Sequence, residues 1–196
     1  MSANTKSKTP IAHILFLVAG ITLVVYYLLS QGMPSVGGDI ASLMKFIVEL
    51  FILILIVGFY FYFLFGGKNC AGTIRAIAPA LLILIIVGPY ALNFGSSEAN
   101  SIITGIAKMF YVLLIACGFV FLFVHNKFIG YVFSFSSVIY AAFVTLSYTI
   151  VMIISLVNNQ GFSTSKLFET LFYVISLGLL FIGGYRVCKG KEWSLD

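Results

Sequence analysis

Residues 50–68 read LFILILIVGFYFYFLFGGK, an uncharged run of eighteen residues from Leu50 to Gly67 ended by Lys68. As an α-helix this run rises about 27 Å, close to the ~30 Å of bilayer hydrocarbon. Lys45 and Glu49 stand just before it, where a polar turn is expected, and an aromatic run from Phe59 to Phe63 precedes the basic stop. The plan returns further along the chain. Gly118 and Gly178 follow Gly58 at steps of 60, Phe121 and Phe181 follow Phe61 at the same step, and Lys127 and Arg186 follow Lys68 at steps of 59.

Six apolar segments emerge around this template, at about 10–30, 44–66, 74–93, 102–124, 128–157 and 167–186. Lipid leaves no water for unpaired backbone groups, so spanning segments are helices or closed barrels. These runs are too long for barrel strands and show no alternation. The expected fold is all-α: a polytopic membrane protein whose six transmembrane helices form three similar hairpins. The spans occupy one domain, 10–186, between short tails at 1–9 and 187–196. Composition agrees, with 61% hydrophobic and 9% charged residues in 196. Soluble domains carry roughly 25% charged residues.

The net charge of +5 does not indicate a nucleic-acid partner, because the basic residues fall singly at segment ends and form no patch. They do report topology. Lys6, Lys8, Lys68, Arg75, Lys127, Arg186, Lys189 and Lys191 fall on one side, and Lys45, Lys108 and Lys166 on the other. The positive-inside rule then places both termini in the cytoplasm, and a bacterial inner membrane is the expected location. The first apolar run exceeds the 7–15 residues of a signal-peptide core and reads as a retained helix.

Two groups of residues are candidate sites. Lys45 with Glu49, Lys108, and Lys166 with Glu169 stand near the outer ends of the second, fourth and sixth helices. They read either as a ring of charges at an outer vestibule or as interfacial pairs whose lysines reach the headgroups. The fifth helix carries Ser134, Ala141, Tyr148 and Ser155 every seven residues, with Ser137 and Thr145 on the adjoining line. Small and hydroxyl residues in such a stripe suit a packing seam, and a pore face is the alternative. Pro89 after Gly88 is expected to end or kink the third helix.

No enzyme is expected. The sequence lacks a Gly-x-Ser-x-Gly elbow, a His-Glu-x-x-His pair and a Walker loop. Cys70, Cys117 and Cys188 lack metal-ligand spacing, so no cofactor or metal is expected. The Asn-Pro-Ala triplets of aquaporins and the Pro-x-Asp/Glu-x-x-Lys/Arg signature of mitochondrial carriers are absent. Charged residues are missing from the middle of the apolar runs, where ion-coupled transporters hold their ion. The expected role is a non-enzymatic integral membrane subunit of a larger assembly, such as a secretion or transport complex, with lipid and other membrane subunits or itself as partners. The alternative is a self-contained small-solute channel or facilitator.

Overall fold

The computed structural model describes residues 11–31, 40–65, 77–91, 98–124, 126–158 and 164–189. They form six helices: α1 (Ile11–Gln31), α2 (Ile40–Phe65), α3 (Ile77–Ala91), α4 (Glu98–Phe123), α5 (Lys127–Val157) and α6 (Thr164–Cys188). Five are long and apolar enough to cross a membrane, and α3, at 15 residues, is shorter. The several apolar helices make this a membrane protein in character. Lys68, Cys70, Arg75 and His125, with nearly all of both tails, lie outside the described residues.

Packing closes five helices into a ring. Going round, α1 lies against α6, α6 against α5, α5 against α4, α4 against α3, and α3 against α1. The second helix stays outside this ring, packed more lightly on α1 and α3. Only 6% of its membrane-length window is buried, against 50% for α1. Of the second, fourth and sixth helices, α4 and α6 are therefore part of the ring and α2 is peripheral. The tightest seams join α1 to α6 and α5 to both its neighbours.

Small residues make those seams possible. A Cβ at Gly184 of α6 would collide with the Ser134 Oγ of α5, and one at Gly130 with Cys188 and Phe121. At Gly183 it would meet Phe16 of α1 at 2.9 Å, and at Gly118 it would meet Leu81 of α3 at 2.7 Å. Hydroxyls complete the contacts: Ser137 Oγ donates to the Leu177 carbonyl at 2.7 Å, and Thr22 and Ser176 share a hydrogen bond of 2.6 Å. Close backbone approach and interhelical hydrogen bonds drive association where lipid removes the hydrophobic driving force. The glycines at steps of 60 occupy different surroundings. Gly118 is tightly packed, whereas a Cβ at Gly58 or Gly178 would meet open space.

The third helix continues through Pro89 to Ala91, two residues further than a stop at Gly88–Pro89 would allow. Proline lacks the N–H that would bond the Ile85 carbonyl four residues back. Tyr111 of α4 covers this gap, its hydroxyl 3.1 Å from the Leu84 carbonyl and 3.5 Å from that of Ile85. Gly88 lets the ring in, since a Cβ there would strike Tyr111. A neighbouring helix thus supplies the polar contact that proline removes.

Candidate functional site

The ring is not filled to the same depth at both ends. At the end carrying Gln31, Ala91 and Thr164, four of its helices enclose a cavity of about 300 Å³. Its walls come from Tyr26 and Ser30 of α1, Tyr90 of α3, Tyr148 and Val151 of α5, and Lys166, Glu169 and Thr170 of α6. Such a volume lies at the lower end of small-molecule sites.

A tyrosine layer closes the cavity below. Tyr173 lines the cavity and is wholly buried, its hydroxyl 3.0 Å from that of the equally buried Tyr140. Tyr26 packs on Tyr173 at 4.8 Å between ring centres, and Tyr111 on Tyr140 at 5.6 Å. Four helices of the ring, α1, α4, α5 and α6, therefore each send one tyrosine into a single stratum. Within one to two turns deeper the interior is closely packed, with Phe133, Ser134, Ser137, Leu177 and Leu180 all buried.

Opposite charges stand on the cavity wall. Lys166 and Glu169 are three residues apart in α6, a rise of about 4.5 Å. Among the described residues they form no ion pair with each other. Glu169 Oε1 accepts a 3.0 Å hydrogen bond from Ser165, and the carboxylate is half-buried while the Lys166 side chain is exposed.

The expected vestibule residues are thus only partly brought together. Lys166 and Glu169 line the cavity. Lys108 lies exposed on α4 and does not line it. Lys45 and Glu49 belong to α2, which stands outside the ring, so three lysines do not encircle one mouth. Nor do these two occupy a polar turn: α2 begins at Ile40 and carries both inside the helix.

Glu49 is drawn into the bundle. Tyr27 of α1 and Tyr90 of α3 each donate to Glu49 Oε2 at 2.7 Å, and Lys45 lies 3.9 Å from Oε1. Lys45 also stands 5.7 Å from the centre of the Tyr90 ring. Its side chain is 66% exposed and that of Glu49 is 22% exposed, so the carboxylate is the inward member of the pair. Two phenolic donors satisfy a charge that apolar surroundings alone would expel. Sequence reasoning missed this because the two tyrosines lie far from Glu49 in the chain.

On α5, Ser134, Ser137 and Ala141 face neighbouring helices and are buried. Tyr148 belongs to the cavity and Ser155 is half-buried near the helix end. Thr145 turns outward, its hydroxyl bonded to the Ala141 carbonyl at 2.8 Å. The buried line continues through Val144 and Ser147 instead. Among the described residues no three His, Cys, Asp or Glu side chains gather as a metal site. No known family, curated protein or solved structure matches the chain.

Proposed function

We propose that this chain is a non-enzymatic membrane protein of the channel or facilitator class, whose ring of helices admits a small polar solute from the Gln31 end. One observation carries this reading: the cavity lies at the mouth of a closed helical ring, on its axis, above a layer of tyrosines. A lipid-filled cleft between packed helices would have apolar walls, whereas this one has four tyrosines, a lysine and a glutamate. Hydroxyls and ring faces suit solutes that must shed water, and the tyrosine layer is where a passage would open and shut.

The basic-residue count supports a mouth on the outer face with both termini inside, and in this reading the six spans form three hairpins in a bacterial inner membrane. Uptake into vesicles holding the purified protein tests the reading. Glycerol, urea or glycine betaine should enter faster than into protein-free vesicles, and Tyr148→Trp, which fills the cavity, should slow the entry. Equal entry with and without protein would count against a facilitator.

A second reading, an integral subunit of a larger membrane assembly, is favoured by α2. This helix lies outside the ring with most of its length uncovered by its own chain. Helices in lipid associate through packing, and α2 has room for a neighbouring subunit. Gentle extraction followed by native mass measurement separates the readings: a hetero-complex supports the subunit, and a monomer or homo-oligomer supports the facilitator.

A further inference from the structure

Resting on the facilitator reading, we infer that the cavity is a site for a small zwitterion, a molecule carrying an ammonium group and a carboxylate or phosphate a few ångströms apart. Three features converge on that chemistry. Lys166 and Glu169 bring opposite charges to one wall without pairing with each other, about 4.5 Å apart along α6. Two such charges, left with unused capacity, match both ends of a zwitterion at once.

The surrounding rings sort the two ends. Tyr26, Tyr90, Tyr148 and Tyr173 line the same space as Glu169. Aromatic faces attract ammonium groups, and more strongly where water is excluded. The half-buried Glu169 and the tyrosines therefore hold the ammonium inside, while the exposed Lys166 meets the anionic end at the rim. Thr170 and Ser30 add hydroxyls at the wall.

The size is also restrictive. A cavity of about 300 Å³ holds an amino acid or a phospholipid headgroup and little more. A neutral sugar would bring no opposite charge to the half-buried Glu169 or to Lys166, which disfavours it against a zwitterion.

Calorimetric titration of the detergent-purified protein tests the site, with glycine betaine and L-leucine as zwitterions, choline as cation alone and acetate as anion alone. At least one zwitterion should bind roughly tenfold or more tighter than choline and acetate, and Glu169→Gln and Lys166→Gln should each weaken it by about that factor. Both changes lie at the mouth on a cavity wall, where folding is least exposed to them. Repeating the titration in nanodiscs identifies the source. Equal binding in phosphatidylcholine and phosphatidylglycerol discs indicates a free solute, and loss of binding in phosphatidylcholine alone indicates a zwitterionic headgroup competing for the site. Binding of choline or acetate as tight as that of the zwitterions would overturn the inference, as would indifference to both substitutions or no zwitterion binding in any preparation. Zwitterion binding without vesicle uptake would keep the site and remove the facilitator reading. Uptake of glycerol or urea without zwitterion binding would do the reverse.

Discussion

Tyr90 joins two parts of the molecule, donating its hydroxyl to Glu49 Oε2 at 2.7 Å while forming part of the wall of the axial cavity. The peripheral helix is thereby tied to the lining of the mouth. Tyr27 makes the same donation from α1, so one carboxylate oxygen pins α2 to two helices of the ring.

Replacing Glu49 by alanine should therefore loosen α2. Hydrogen bonds to a charged group contribute about 1.5–3 kcal/mol, and both phenols lose their acceptor. Thermal unfolding in detergent should fall in Glu49→Ala, and less in Glu49→Gln, whose amide oxygen still accepts. Tyr27→Phe and Tyr90→Phe should each lower stability by about 1.5–3 kcal/mol and be non-additive with Glu49→Ala in a double-mutant cycle. Full additivity would mean that the three residues do not act together.

The Gly88–Pro89 step offers a test of a different kind. In Pro89→Ala the restored amide can bond the Ile85 carbonyl, and the Tyr111 hydroxyl loses part of its purpose. Tyr111→Phe should then destabilise the Pro89→Ala protein less than the parent, by roughly 0.5–1 kcal/mol. Gly88→Ala should destabilise by about 1–3 kcal/mol, since the Tyr111 ring occupies the space that its methyl group needs.

The α5 seams predict an asymmetry between faces. Ser137→Leu and Ala141→Leu place bulk where the parent residues are 0% and 9% exposed, and each should lose about 1–3 kcal/mol by overpacking. Ile139→Leu, at a residue 38% exposed, should change stability by less than about 0.5 kcal/mol. Equal tolerance at all three would remove the seam.

These tests also mark what the sequence could disclose. Length and continuity of apolar runs expose helices, so all six elements and a membrane setting were legible. The order of packing was not. In lipid both the buried and the outward faces of a helix are apolar, and the contrast that betrays an inward face in water is missing. Phe61 and Phe121 occupy equivalent places in the step of 60, yet the first is 42% exposed and the second fully buried. The same loss of contrast hid the exclusion of α2 from the ring. At the site, Lys166 and Glu169 were legible as charges near a helix start. The tyrosines that enclose them come from four helices and share no spacing. On α5, Thr145 of the line adjoining the seven-residue repeat falls off the buried face, because the seam follows Val144 and Ser147.

Orientation is open to direct labelling. Ser165→Cys at the Gln31 end, where the parent residue is exposed, should react with an impermeant thiol reagent applied outside intact cells. Lys189→Cys, at the opposite end, should react only after the membrane is opened. The reverse pattern would place the cavity mouth in the cytoplasm.

Cysteine accessibility along the ring axis tests the central claim most directly. In a background with Cys70, Cys117 and Cys188 replaced by alanine, single cysteines are placed at Val151 and Thr170 on the cavity wall, and at Ser137 and Ser176 beneath the tyrosine layer. A water-soluble methanethiosulfonate should modify Val151→Cys and Thr170→Cys rapidly, and glycine betaine should slow both reactions. Ser137→Cys and Ser176→Cys should be protected, and Ser176→Cys should become reactive when Tyr173→Ala removes the ring above it. Rapid modification of all four positions in the parent background, or of none, would contradict an axial cavity closed by Tyr140 and Tyr173.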